Sequence, residues 1–342
     1  MIAAVEGLEL AAVVERSSRN AEAAYPGITT YSSLEAMLAD ASLELIVIGT
    51  PNTLHVPQAE AALRAGRHVV VDKPVAITSS ELGGLIKLAN AQGKLLIPFH
   101  NRRWDSDFQT LRKLLQEQRL GRIVALESTF DRWRQAPKLE TWRDQGGPGT
   151  GILLDLGTHL ADQALQLFGL PEAVGAEVLV ERDTAVANDS FTIRLHYPRQ
   201  VVTLAANCLS ATSRPRYTVR GTKGGYVKCC LDPQEAKLKE SNRITPVGWG
   251  AEPPERWGKL TVEVDASGNT ETQTIEPIPG DYRLYYAGVR DAMLGKAAPP
   301  VLAMDAWHVA RVLEWAEESS AEKRVIPCDG AKLPTSPISL AN

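Results

Sequence analysis

The chain opens with short apolar runs separated by polar, helix-patterned stretches. Residues 8–14 (LELAAVV), 43–48 (LELIVI), 68–71 (HVVV) and 95–99 (LLIPF) are apolar on both faces. Between them, 34–38 and its surroundings, 57–65 (PQAEAALRA) and 79–92 carry apolar residues at helical spacing, the last two stopped by Gly66 and Gly93. Strands without a polar face, alternating with helices, predict a parallel sheet covered by helices on both sides. After about residue 101 the pattern changes. A helix over 108–118 precedes a strand at 123–131, and an amphipathic helix runs over about 156–168. Alternating runs follow at 174–181, 191–197, 201–209, 216–220, 226–231 and 260–264, before two late helices at about 282–294 and 306–319. Closely spaced period-two runs with turn residues between them predict a large open, mostly antiparallel sheet.

This layout is an α/β Rossmann-type domain over 1–100, an α+β domain over 101–330, and a loose tail over 331–342. A ligand is expected between the domains, at the carboxyl ends of the first domain's strands. A dinucleotide-binding domain should begin with a strand, a G-x-G-x-x-G turn and a helix. The glycine cluster 146–151 (GGPGTG) follows no strand, lacks that spacing, and reads as a loop entering the next helix. Residues 1–5 read as the last turn of a helix. The first strand and glycine loop, roughly 20–25 residues of a ~30-residue βαβ unit, are therefore expected to be missing. The cause would be a misplaced start or a damaged first domain. The four or five apolar side chains of such a strand would bury about 1.5–3 kcal/mol each, comparable with a domain's net stability of about 5–15 kcal/mol.

Composition narrows the class. The 342 residues are 44% hydrophobic and 23% charged, ordinary for a soluble globular chain. A formal net charge of −4 offers no footprint for nucleic acid or an anionic membrane surface. No apolar run approaches the roughly 18 residues of a membrane span, and no signal peptide opens the chain. The four cysteines (Cys208, Cys229, Cys230, Cys328) lack metal-ligand or disulfide-scaffold spacing, so the expected compartment is the reducing cytoplasm.

Candidate chemistry falls at strand ends. Asp72-Lys73-Pro74 closes the 68–71 strand and places a lysine where it can stabilise an alkoxide or orient a nicotinamide; as a surface turn it would do neither. Asp155 and His159, spaced i, i+4 at a helix start, should share one face with Asp162 three residues on. There His159 can take an alcohol proton at neutral pH while Asp155 holds its imidazole; the plainer alternative is a capping aspartate and an unrelated histidine. One helix supplies too few ligands to close a metal shell, so no metal is expected. Thr50, Pro51, Asn52 and His55 follow the 43–48 strand and suit a cofactor's ribose or pyrophosphate, or merely make a turn. Glu15 suits a ribose 2′-hydroxyl and its neighbour Arg16 a 2′-phosphate, leaving NAD or NADP open. Asn101, Arg103 and Trp104 after the 95–99 strand, with Trp142 and Arg143, suit a polyol pocket or a network between domains.

Taken together, Thr50-Pro51-Asn52-x-x-His55, Gly66-x-His68-Val69, Asp72-Lys73-Pro74 and Asp155-x-Gly157-x-His159-x-x-Asp162 resemble the glucose–fructose oxidoreductase, inositol dehydrogenase and rhizopine catabolism (Gfo/Idh/MocA) family over nearly the whole chain. Residues 99–105 (FHNRRWD), Trp142-Arg143, 151–157 (GILLDLG) and 232–235 (DPQE) are similar to the bacterial subgroup that includes NADP-dependent scyllo-inositol dehydrogenase. The resemblance implies hydride transfer between NAD or NADP and a secondary alcohol of a sugar or cyclitol. It also implies Lys73, Asp155 and His159 as catalytic residues and a homo-dimer or homo-tetramer. Relatives usually carry Glu where Asp72 stands. A non-catalytic sugar sensor on the same fold, an inactive truncated product, and a metal-dependent lyase or epimerase using Asp155, His159 and Asp162 are the competing readings.

Overall fold

The computed structural model describes residues 1–15, 20–241, 244 and 248–329. Arg16 and the 331–342 tail lie outside the described residues. In the first domain, β1 (Ala12–Val14), α1 (Asn20–Ala24), β2 (Thr29–Tyr31), α2 (Leu34–Leu38), β3 (Leu45–Ile48), α3 (His55–Arg64), β4 (His68–Val71), α4 (Ser79–Ala91) and β5 (Leu96–Pro98) alternate as expected. All strand pairs here are parallel, in two ladders, β1–β2 and β3–β4–β5; among the described residues no ladder joins them. The register sets Ile48 beside Val71 and Val71 beside Pro98, so the three strands end level and their loops emerge on one edge.

Local chemistry sets the helices. Thr78 and Glu81 form a capping box at the start of α4, and Gly93, at φ 60°, follows its end. Leu82, Leu85, Ile86 and Ala89 of α4 are buried at helical spacing against β3, β4 and α3. The other face of the sheet, Val70 and Ile97, packs on Tyr285, Tyr286 and Val289. Both faces are thus covered, which is why these strands carry no polar side.

The second domain comprises α5 (Ser106–Gln116), β6 (Ile123–Thr129), α6 (Thr158–Phe168), β7 (Ala173–Leu179), β8 (Ser190–Tyr197), β9 (Gln200–Asn207), β10 (Tyr217–Gly221), β11 (Gly224–Lys228), α7 (Gln234–Ser241), β12 (Gly258–Glu263), β13 (Thr270–Ile275), α8 (Arg283–Met293), α9 (Ala303–Glu322) and β14 (Ile326–Pro327). Its sheet has nine strands in the order β13-β12-β11-β10-β6-β9-β8-β7-β14, antiparallel throughout except for β6–β9. Helices α6 and α9 and the end of α5 cover one face. Helix α9 also joins the domains: Ala306 and Trp307 sit in the first domain's core, whereas Val309, Val312, Leu313 and Trp315 sit in the second's.

Candidate active site

The level strand ends deliver three loops to one edge. The loop after β3 brings Asn52, the loop after β4 brings Asp72 and Lys73, and the segment after β5 brings His100 and Asn101. Opposite them stand residues 142–155 of the second domain. The cleft between is lined by Asn52, Asp72, Lys73, Trp142, Arg143, Gly149, Thr150, Gly151 and Asp155. The expected crevice between the domains is therefore present. It is tight, with about 20 Å³ of free volume.

At its centre Lys73 Nζ donates to the Asp155 carboxylate (Oδ1, 2.8 Å) and to the Asp155 carbonyl (2.6 Å). The other carboxylate oxygen, Oδ2, accepts from Arg132 Nη1 at 2.9 Å. Burial alone would raise the Asp155 carboxyl, but Lys73 and Arg132 outweigh it and hold the group well below the usual carboxylate range. His159 is buried, and burial followed by the positive charge of Lys73 pushes it well below the usual imidazole range. Its Nδ1 has no hydrogen-bond partner among the described residues.

This geometry corrects the expected Asp155–His159 contact. Residues Leu153–Gly157 form a π-helical turn ahead of α6. What separates Asp155 from His159 is partner choice: both oxygens of the Asp155 carboxylate are taken by cations from outside the helix, Lys73 and Arg132. Asp162 faces elsewhere. It holds Arg103 through two bonds (Nε–Oδ2 2.9 Å, Nη2–Oδ1 2.6 Å), and Arg103 also reaches Asp305 at 3.0 Å.

Other expected residues take supporting positions. Arg103 is buried and ties α6 to α9, away from the cleft lining. Trp104 packs edge-on to Tyr285 with ring centroids 5.6 Å apart, and its carbonyl accepts from Gln234; Asn101 begins the same short 3₁₀ turn, half-buried. The ring nitrogens of His55 lie 2.8 Å from the carbonyl oxygens of Thr50 and Pro74, so this histidine clamps the loop after β3 to the lysine loop. Thr50 Oγ1 bonds Gln58, and Pro51 precedes the 3₁₀ turn carrying Asn52. Glu15 accepts from the backbone N–H groups of Asn20 and Ala21 and so caps α1. In the cleft itself, Arg143 lies over the Trp142 ring at 4.5 Å.

Two further residues carry the site without having been foreseen. Arg132, just past β6, pairs with Asp155 across 23 positions of sequence. Asn188 Oδ1 accepts from Leu153 N–H, pinning the first turn that holds Asp155. Neither lies in a periodic pattern or a recognisable spacing, so the sequence offered no signal for them.

Across Gly149 and Thr150 lies a larger cavity of about 330 Å³, walled by Val75–Thr78, Leu154 and α9 and reached by His100. It has ligand-like volume but contains neither Lys73 nor Asp155, both of which line the smaller cleft. The chemistry, not the volume, marks the smaller cleft as the candidate site.

A parallel sheet whose strand ends present a lysine to a second, sheet-bearing domain that supplies a carboxylate and a buried histidine is the arrangement of a nucleotide-dependent oxidoreductase. Residues 1–100 match the NAD-binding Rossmann fold of the Gfo/Idh/MocA oxidoreductase family, and residues 112–328 match its C-terminal alpha/beta domain. The chain belongs to this family. It is 42% identical over 326 residues to YdgJ, an uncharacterized oxidoreductase of Escherichia coli, covering 95% of this chain and 93% of that one. It is 37% identical over 303 residues to the scyllo-inositol 2-dehydrogenase (NADP(+)) IolW of Bacillus subtilis, covering 88% and 84%. Among solved structures, the YPO2259 protein of Yersinia pestis superposes with a TM-score of 0.90 at 43% identity, covering 95% and 91%.

Proposed function

We propose that the chain oxidises a secondary alcohol of a sugar or cyclitol, or reduces the corresponding ketone, with NAD or NADP, and that Lys73 and His159 act on the reacting oxygen. The observation that carries this reading is the state of those two groups. Lys73 has three N–H donors, two of which go to Asp155, leaving one for the substrate oxygen. His159 stays neutral at physiological pH through burial and neighbouring cations, and its buried Nδ1 has no partner among the described residues. A neutral imidazole beside a lysine is suited to take the hydroxyl proton while the ammonium stabilises the oxyanion that develops.

The residues present fit a nicotinamide dinucleotide. Asn52, Asp72 and Lys73 converge at the carboxyl ends of parallel strands. At Gly149 a Cβ would come within 3.2 Å of Asn52, so only glycine allows the loop this close. Asn52, Asp72 and Lys73 would hold the nicotinamide end, with Thr50 and Pro51 behind them and Glu15 toward the adenosine ribose. The cofactor, when bound, supplies the hydride acceptor for the carbinol C–H. The protein orients the alcohol, excludes water through the 146–151 segment, and moves the proton to His159.

We further assign Trp142 and Arg143 to the polyol. The ring offers an apolar face to C–H groups, and the guanidinium, with no ion pair among the described residues, offers donors to hydroxyls. The similarity to a scyllo-inositol dehydrogenase favours a cyclitol. The reading includes a homo-dimer or homo-tetramer, supported by the family resemblance, and a cytoplasmic location, supported by the cysteine pattern. A panel of inositols and aldoses, read by formation of reduced nicotinamide from NAD and NADP, tests the reading. Turnover of at least one polyol is expected, and binding of polyol without turnover would favour the sensor alternative.

A further inference from the structure

We propose that Arg132 is a positioning residue, holding the outer oxygen of the Asp155 carboxylate so that the inner oxygen stays on Lys73. The inference rests on the reading of Lys73 given above. The two cations divide the carboxylate: Lys73 takes Oδ1 at 2.8 Å and Arg132 takes Oδ2 at 2.9 Å.

Arg132 is itself held for this task. Its backbone N–H bonds the Asn207 carbonyl at 2.9 Å and its carbonyl accepts from Ser210 at 3.1 Å, fixing the segment to the end of β9. Its guanidinium lies 5.4 Å from the Phe130 ring centre, a ring that Arg102 also approaches at 5.0 Å. The adjacent Asp131 is occupied by Arg214, at 2.6 and 2.9 Å, and does not compete for Arg132.

Without Arg132, Oδ2 would sit in a largely desolvated place with no partner. The carboxylate could then turn to take more of the Lys73 ammonium, or swing toward His159. The first movement takes the N–H that Lys73 keeps for substrate, and the second leaves the ammonium without the carboxylate that aims it. The charged groups facing Asp155 are Lys73 from the loop after β4 and Arg132 from the end of β6, with Asp72 and Arg143 lining the same cleft and His159 one turn further on. A lysine in place of Arg132 would keep the charge but would not place a donor where Nη1 now meets Oδ2 at 2.9 Å.

The test uses the full chain labelled with aspartate carrying ¹³C in the side-chain carboxyl, the Asp155 resonance being the one lost in Asp155→Asn. In the unaltered chain that carboxyl should remain ionised to the lowest pH at which the protein stays folded. In Arg132→Met its midpoint should rise by about one pH unit or more, with Arg132→Lys in between. Arg132→Lys is read in the same direction if the methionine variant does not fold. With an accepted polyol, Arg132→Met should lower kcat roughly ten- to a hundredfold while KM changes little, and Arg132→Lys should restore part of it. Titration curves that superimpose on those of the unaltered chain overturn the proposal. If the unaltered chain turns over no polyol, the proposed function fails, and the carboxyl titration still decides the role of Arg132.

Discussion

His159 is buried among positive charges, and this sets how it should respond to both pH and mutation. Its folded-state pKa lies below the ordinary value of 6.5, so in the unfolded chain it gains a proton at a pH where the folded protein resists one. His100, also fully buried, is shifted in the same direction. Stability from both is present above about pH 6.5 and is lost as pH falls toward the folded-state values. The melting temperature is therefore expected to fall on acidification below that point, and His159→Asn should flatten the slope; an unchanged slope would contradict the burial argument. On activity, Lys73→Ala and His159→Ala should each reduce turnover by about 10²–10⁴-fold, far more than either weakens NAD(P)H binding. Activity unchanged from the unaltered chain in both variants would dismiss their assignment. The lysine and histidine could be singled out from sequence because one ends an apolar run and the other lies on an amphipathic helix. Arg132 could not, because its partner is reached only when the end of β6 folds against the π-helical turn.

Among the elements, α9 and the π-helical turn decide the geometry of the cleft. Helix α9 contributes to both cores, and Arg103 fastens it to α6 through Asp305 and Asp162. Arg103→Met leaves the buried Asp162 without its cation and is expected to cost about 3–5 kcal/mol, measurable by urea unfolding. Activity would then fall only in step with the folded fraction, whereas a selective rise in KM would return Arg103 to the substrate pocket. Asn188→Ala removes the acceptor for Leu153 N–H at the start of the turn and should cost about 1–3 kcal/mol; no change in stability would show that the turn holds itself. Most helices and strands were legible because their apolar spacing reports burial directly: β4 and α2 fall on the predicted residues. The short edge strands β2, β13 and β14 and the polar helix α7 were not, since half-exposed residues carry little periodic signal. The π-helical turn was equally hidden, because helical spacing in a sequence does not reveal a wider turn.

At the scale of the molecule, two cores meet at a cleft whose first side holds a nucleotide-binding sheet and whose second side supplies Asp155 and the Trp142–Arg143 pair, with His159 buried four residues past Asp155. The open antiparallel sheet was visible in the run of alternating strands, and its single parallel pair, β6–β9, was not, because strand order is set by contacts distant in sequence. Among the described residues no helix is long and apolar enough to cross a membrane. The most direct test of the account is the rate of nicotinamide reduction by the purified chain with scyllo- and myo-inositol and NADP or NAD, run beside Lys73→Ala and His159→Ala. The expected result is turnover that both substitutions reduce far more than they weaken cofactor binding. Rates that are the same in all three proteins, or polyol binding with no reduction of either nucleotide, would contradict it.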